Sequence, residues 1–309
     1  MNTTAAPQMI EFVNESLDFT PHDTKFLPGS ARIAICGISP NGMGALRISE
    51  LDREGTKDLL HDLSFRPSGI KCATYGASRL GNEHIALGSY DGTLCICDVA
   101  HGDRNASDLF TVKAHEGIIN AVDGIGGTNC SYGAPELVTG GKDGCVKVWD
   151  QRITDPVVVL APESSRARDC WTVAFGDSYN DEERSIIAGF DNGDVKLFDL
   201  RTSKIVWEAN VVNGCTSVQF DRPDIRKNKV VVTTLESKFR CYDMRTQHST
   251  DGFAFTSERA HRSLLCPRRL ASARAIEVEL AVRVDRSAGS AGPCRKTARG
   301  SGPCSPCRP

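Results

Sequence analysis

One short unit recurs along this chain and limits its fold more than any other feature. The stretch Gly140-Gly141-Lys142-Asp143-Gly144-Cys145-Val146-Lys147-Val148-Trp149-Asp150 is an Asp-Gly turn followed by an alternating apolar run that ends on an aromatic residue and an Asp. It returns as Gly189-Phe190-Asp191-Asn192-Gly193-Asp194-Val195-Lys196-Leu197-Phe198-Asp199, and more faintly as Gly88-Ser89-Tyr90-Asp91-Gly92-Thr93-Leu94-Cys95-Ile96-Cys97-Asp98. A fourth copy ends at Tyr242-Asp243, and a degenerate one runs from Asn41-Gly42 to Ser49-Glu50. Alternation with a period of two specifies strands, and the turn glycine supplies the positive φ that a tight hairpin needs. Repetition at about 40–50 residues then builds a series of equivalent small sheets rather than one large one.

These features predict an all-β fold, a β-propeller of WD-type repeats in which each blade is a four-stranded antiparallel sheet. Residues 8–263 are expected to form about five blades of a usual seven, with Gln8-Met9-Ile10-Glu11-Phe12-Val13 as the strand that would complete the last blade of a closed ring. The pattern stops abruptly after Ala260-His261-Arg262-Ser263. Residues 262–309 contain no Phe, Trp or Tyr, and 25 of those 48 are Ala, Arg, Gly or Pro, all residues with GC-rich codons. Residues 264–309 are therefore read as a disordered tail from out-of-frame or alternatively spliced translation, since such a segment buries too little apolar surface to offset its ordering entropy. A basic arm for an acidic partner and half a metal site at Cys304-x-x-Cys307 are the rival readings of the tail, and Ala275–Val284 could form a short helix or strand.

Charge and cysteine narrow the function. The net charge of -2 over 309 residues hides an asymmetry: residues 262–309 hold nine Arg and one Lys against Glu277, Glu279 and Asp285, so the remainder is acidic. An acidic body argues against a nucleic-acid surface. The N-terminus Met1–Pro7 lacks a basic region and an apolar run, and no stretch is long and apolar enough to span a bilayer, which predicts a cytoplasmic protein without membrane contact. In that compartment the 13 Cys are expected to stay reduced, most of them inside strand patterns, as at Cys72, Cys145, Cys215 and Cys241.

Ala114-His115 lies one repeat-opening upstream of the best unit, where WD repeats carry Gly-His. In such repeats this His, a strand Ser or Thr, the turn Asp and the Trp form a buried structural tetrad, here His115, Thr139, Asp143 and Trp149. His beside Asp is also how a general base is oriented, but no nucleophile motif accompanies the pair, so no catalytic residue is assigned. The Phe198 unit has Arg168-Asp169-Cys170-Trp171 where Gly-His is expected, and the Tyr242 unit has Glu236-Ser237 in place of Asp-Gly; they must depend more on strand pairing and aromatic packing. Asp123-Gly124-Ile125-Gly126-Gly127 lacks the Lys-Ser/Thr of a phosphate loop and reads as a flexible connection, and Asp181-Glu182-Glu183-Arg184 reads as a solvated turn. Cys95 and Cys97 project from the same face of one strand without a second ligand pair for zinc. No cofactor or metal is expected.

Three successive units end in a repeated box: Trp149-Asp150-Gln151-Arg152, Phe198-Asp199-Leu200-Arg201 and Tyr242-Asp243-Met244-Arg245. It resembles the box by which WD proteins dock on the adaptor of cullin-RING ubiquitin ligases, so Arg152, Arg201 and Arg245 are candidate partner-binding residues. The simpler alternative is that each guanidinium pairs with a carboxylate at the blade edge. Four further stretches, Lys71–Ala77, His115–Gly127, Asp169–Gly176 and Asp243–His248, are similar to the Monad family of WD-repeat axonemal dynein assembly factors over about residues 8–263. The resemblance implies a non-enzymatic cytoplasmic adaptor. Its expected partners are a prefoldin-like co-chaperone complex with RuvB-like ATPases, and axonemal dynein subunits as clients. The alternative is a substrate receptor of a cullin-RING ubiquitin ligase.

Overall fold

A computed structural model describes residues 13–52, 55–78, 82–99, 107–126, 136–162, 167–179, 183–222 and 225–259. Among these the only regular elements are strands, grouped in chain order into five four-stranded antiparallel sheets. The first blade comprises β1 (Thr20–Phe26), β2 (Arg32–Ile38), β3 (Gly44–Leu51) and β4 (Thr56–Arg66), and the second β5 (Ile70–Thr74), β6 (His84–Ser89), β7 (Thr93–Asp98) and β8 (Ser107–Lys113). The third holds β9 (Ile119–Gly124), β10 (Glu136–Gly141), β11 (Val146–Asp150) and β12 (Val158–Leu160). The fourth holds β13 (Cys170–Gly176), β14 (Ser185–Phe190), β15 (Asp194–Asp199) and β16 (Lys204–Asn210). The fifth is built from β17 (Cys215–Phe220), β18 (Lys229–Thr234), β19 (Lys238–His248) and β20 (Gly252–Arg259). This is an incomplete WD-repeat β-propeller.

The recurrent turn does the same job in each blade. Gly42, Gly92, Gly144 and Gly193 join the second strand to the third at φ between 75° and 86°, a region costly for any residue with a Cβ. The residue before each glycine caps its own backbone: the side-chain oxygens of Asn41, Asp91, Asp143 and Asn192 accept from the N–H groups of Met43, Thr93, Cys145 and Asp194 at 3.0–3.1 Å. In the fifth blade Ser237 takes the left-handed position at φ 61°.

The first strands of successive blades pack in series, β1 on β5, β5 on β9, β9 on β13 and β13 on β17. The second strand of the fourth blade is buried along its whole length between its neighbours, with Ile186, Ile187 and Ala188 fully buried. The outer strands β16 and β20 are largely exposed, with the pattern of β16 broken only by Trp207 and Ala209. On each third strand the residue that ends the apolar run faces the preceding blade. Trp149 packs with Leu94, Ile96 and Phe110, Phe198 with Val138 and Val148, and Tyr242 with Ile187, Leu197 and Trp207. Trp207 meets the edges of Tyr242 and Phe253 at centroid separations of 5.0 and 5.3 Å, the preferred arrangement for aromatic quadrupoles.

Three buried or half-buried side-chain oxygens on first strands stitch one blade to the next. Asp23 accepts from Ala73 N–H at 2.9 Å, Asp123 from Phe175 N–H at 2.9 Å, and Thr172 from Val218 N–H at 3.1 Å. Each satisfies a strand-edge donor that burial would otherwise penalise.

Several sequence expectations need correction here. Asp123 and Gly124 end β9 rather than forming a flexible connection, and Gly124 is glycine because a Cβ would stand 2.5 Å from the carbonyl oxygen of Gly76, just beyond the end of β5. Cys145 is half-buried in the turn before β11, not within a strand, whereas Cys72 and Cys215 are buried strand residues. Of the expected closing strand only Val13 is among the described residues, and it lies in no strand. The tail 264–309, with Ala275–Val284 and Cys304-x-x-Cys307, lies outside them, as do Asp181 and Glu182.

Candidate functional site

His115 lies between β8 and β9 and is buried at 1% exposure. Two glycines make room for it: a Cβ on Gly141 would stand 2.4 Å from His115 Nδ1, and one on Gly92 would stand 2.1 Å from its carbonyl oxygen. The ring Nδ1 lies 2.9 and 3.0 Å from the two Asp143 carboxylate oxygens, and Nε2 lies 2.8 Å from Thr139 Oγ1. Trp149 Nε1 donates to the same hydroxyl at 2.9 Å. A neutral imidazole carrying its proton on Nδ1 gives every donor an acceptor: indole N–H to Thr139, Thr139 O–H to Nε2, and Nδ1–H to Asp143. The structure thus brings together all four residues singled out from the third repeat. Burial opposes the charge on Asp143, but the His115 ring and the N–H groups of Cys145 and Glu116 hold its carboxyl below the ordinary carboxylate range. Both ring nitrogens are engaged inside the protein, so the pair presents no base to a substrate.

The three box arginines share one local geometry at the end of the third strand's apolar run. Arg152, Arg201 and Arg245 donate their backbone N–H to Asp150, Asp199 and Asp243 at 3.0, 2.9 and 3.1 Å. Their guanidinium groups fold back on the same carboxylates at 2.5, 3.8 and 2.5 Å, while the side chains remain 73, 71 and 68% exposed. The guanidinium of Arg245 holds the Asp243 carboxyl down to about 2. Asp243 and Arg245 both lie inside the long strand β19, at the irregularity between Tyr242 and Gln247, whereas Asp150 and Asp199 end their strands and Arg152 and Arg201 lie beyond them.

Sequence reasoning missed the ties between blades. Asp23, Asp123 and Thr172 find their partners 46–52 residues away. Arg184 on Glu136 at 2.7 Å and Arg32 on Glu83 at 2.5 Å span similar gaps. Asp177, fully buried, accepts from Lys227 N–H at 2.7 Å and Ser185 Oγ at 3.1 Å and pairs with the Lys227 ammonium. A lone acidic residue at the end of the apolar run of β9 was the available signal for Asp123; the mostly polar β1, Thr20–Phe26, gave none for Asp23.

A family model described as "WD domain, G-beta repeat" matches residues 106–150, the repeat that holds the tetrad. A Xenopus laevis protein named dynein axonemal assembly factor 10 is 47% identical over 259 residues, 83% of this chain and 71% of its own length. Proteins of the same name from Homo sapiens and Chlamydomonas reinhardtii are each 45% identical, over 85 and 82% of this chain and 73 and 70% of theirs. The chain belongs to the dynein axonemal assembly factor 10 family. Among solved structures, the computationally designed Ika8 protein superposes with a TM-score of 0.55 at 15% identity, covering 78% of this chain and 62% of its own, a likeness of fold alone. No helix among the described residues is long and apolar enough to cross a membrane.

Proposed function

We propose that the protein is a non-enzymatic scaffold for the assembly of axonemal dynein arms, acting in the cytoplasm. It works with a prefoldin-like co-chaperone complex that contains RuvB-like ATPases, and dynein subunits are its clients. The reading is carried chiefly by identity of 45–47% to relatives of that name over more than four fifths of the chain. It fits a His115–Asp143 pair that is consumed by internal hydrogen bonds. Binding surfaces on packed blades suit an adaptor, because blades fixed to one another by buried contacts present their loops in constant relation. Tagged protein expressed in ciliating cells should co-purify with axonemal dynein heavy chains and the RuvB-like ATPases from cytoplasmic extract. Recovery of a well-folded protein with neither would overturn the proposal.

A second reading rests on the three exposed guanidinium groups at equivalent blade positions. They would recruit the adaptor of a cullin-RING ubiquitin ligase, with Arg152, Arg201 and Arg245 as its contacts. Replacing all three by Ala should abolish co-purification with the cullin adaptor; unchanged recovery, or none with the unaltered protein, removes this reading.

A further inference from the structure

Where the third, fourth and fifth blades place Trp149, Phe198 and Tyr242 against the preceding blade, the second blade places Cys97. The smaller side chain leaves room for Arg66, which enters from the end of β4 in the first blade. Its Nη1 lies 3.2 Å from Cys95 Sγ and 2.6 Å from Asp108, and its Nη2 lies 2.8 Å from Cys97 Sγ and also bonds Asp108. The two sulfurs are 3.6 Å apart, and Thr111 Oγ1 donates to Cys95 at 3.4 Å. We infer that Cys95 and Cys97 form a peroxide-reactive dithiol, with Cys95 as the attacking thiolate and Cys97 as the resolving thiol.

The surroundings of Cys95 distinguish it from other buried thiols of the protein. Cys170 and Cys215 donate to carbonyl oxygens of their own strands at 3.7 and 3.8 Å, and burial pushes both up, Cys215 to about 12. Cys95 instead shares a thiol–thiol contact with Cys97, accepts from the Thr111 hydroxyl and faces the Arg66 guanidinium, which together hold it below the ordinary thiol range against its burial. Only 3% of Cys95 is exposed, but the lid over it is the Arg66–Asp108 pair, whose carboxylate side is 42% exposed. A small peroxide needs only that pair to part.

In the first step the Cys95 thiolate attacks one peroxide oxygen, the O–O bond breaks, and hydroxide leaves to take a proton, giving Cys95 sulfenic acid and water. The Cys97 sulfur then displaces the sulfenic hydroxyl, losing its own proton, to give a Cys95–Cys97 disulfide and a second water. Alternate strand residues stand about 6.6–6.8 Å apart at Cα, the upper end of what a disulfide spans, so the product is strained and readily reduced by a thiol. The three ligand atoms of Cys95, Cys97 and Asp108 lie within 4.8 Å of one another and could also hold a thiophilic cation, but a guanidinium bonded to all three opposes a second positive charge.

The test treats the full chain with hydrogen peroxide and maps thiols by mass spectrometry, with dimedone to trap sulfenic acid. Cys95 should oxidise first and yield the Cys95–Cys97 disulfide. The Cys97→Ser variant should accumulate dimedone at Cys95, with Cys170 and Cys215 unmodified as internal controls. Arg66→Gln should slow the reaction about tenfold, the change in thiolate fraction for one pKa unit, and Arg66→Lys should restore most of it. Asp108→Asn, which loosens the carboxylate's hold on Arg66 and removes a negative charge beside the thiols, should speed it. Oxidation of Cys95 no faster than that of Cys170 and Cys215, or an unchanged rate in both Arg66→Gln and Asp108→Asn, overturns the inference. So does stoichiometric zinc binding that needs both thiols while peroxide leaves them intact.

Discussion

At the scale of single residues the third blade carries the most concentrated network in the protein. Asp143→Ala should destabilise the fold by about 1–3 kcal/mol, because His115 and two backbone N–H groups lose their acceptor. Urea unfolding of the variant against the parent measures it. The effect should depend on pH with a definite sign. The Asp143 carboxyl titrates lower in the folded than in the unfolded chain, so its contribution is complete above the unfolded value of about 3.9 and is lost as pH falls through the folded one. The gap between parent and variant should therefore be full at neutral pH and shrink in acid; a gap that widens below about pH 4 contradicts the network. Trp149→Ala, which also empties the contact with the second blade, should cost more, about 3–5 kcal/mol. The tetrad was legible in the sequence because its four members stand at repeat positions. Arg66, Asp23 and Thr172 were not, since their partners are chosen by how one blade rests on the next, which no local pattern records.

At the scale of turns and strands, glycine positions that look alike in sequence separate by their surroundings. Gly42 and Gly92 have nearly equal φ, 85° and 86°, but a Cβ on Gly42 meets nothing within 4 Å, whereas one on Gly92 meets the carbonyl oxygens of His115 and Gly117 at 2.1 and 2.4 Å. Gly42→Ala should cost only the left-handed backbone penalty of about 1–2 kcal/mol, and Gly92→Ala distinctly more. Equal losses in thermal unfolding would show that φ alone decides. The reverse change is available in the fifth blade, where Ser237 occupies the glycine position at φ 61°. Ser237→Gly should be neutral or stabilise by up to about 1 kcal/mol, by relief of the same penalty. Four of the five hairpin turns were readable from Asn-Gly or Asp-Gly pairs; the fifth kept the conformation after losing the residues that announce it.

At the scale of the whole molecule, the fourth and fifth blades differ on the face turned toward the chain's end. In the fourth, Ala174, Ile187, Leu197 and Trp207 form one buried cross-strand row against its neighbour. The matching row of the fifth, Gln219, Val231, Cys241 and Thr256, is exposed or half-buried. Among the described residues nothing packs on this row, and an uncovered sheet face favours association, so the protein should self-associate as concentration rises, and Val231→Lys should weaken this with little loss of stability. Sedimentation at several concentrations distinguishes this from a monomer at all of them. The family's task was legible only through resemblance, because a ring of repeats is compatible with almost any partner.

The claim that this ring serves dynein assembly is tested most directly in Chlamydomonas reinhardtii cells that lack their own relative, which is 45% identical to this chain. Flagellar axonemes from cells expressing this protein should regain dynein arms when counted in cross-section by electron microscopy. Soluble protein at normal abundance, with arm numbers no higher than in the uncomplemented cells, would contradict the account.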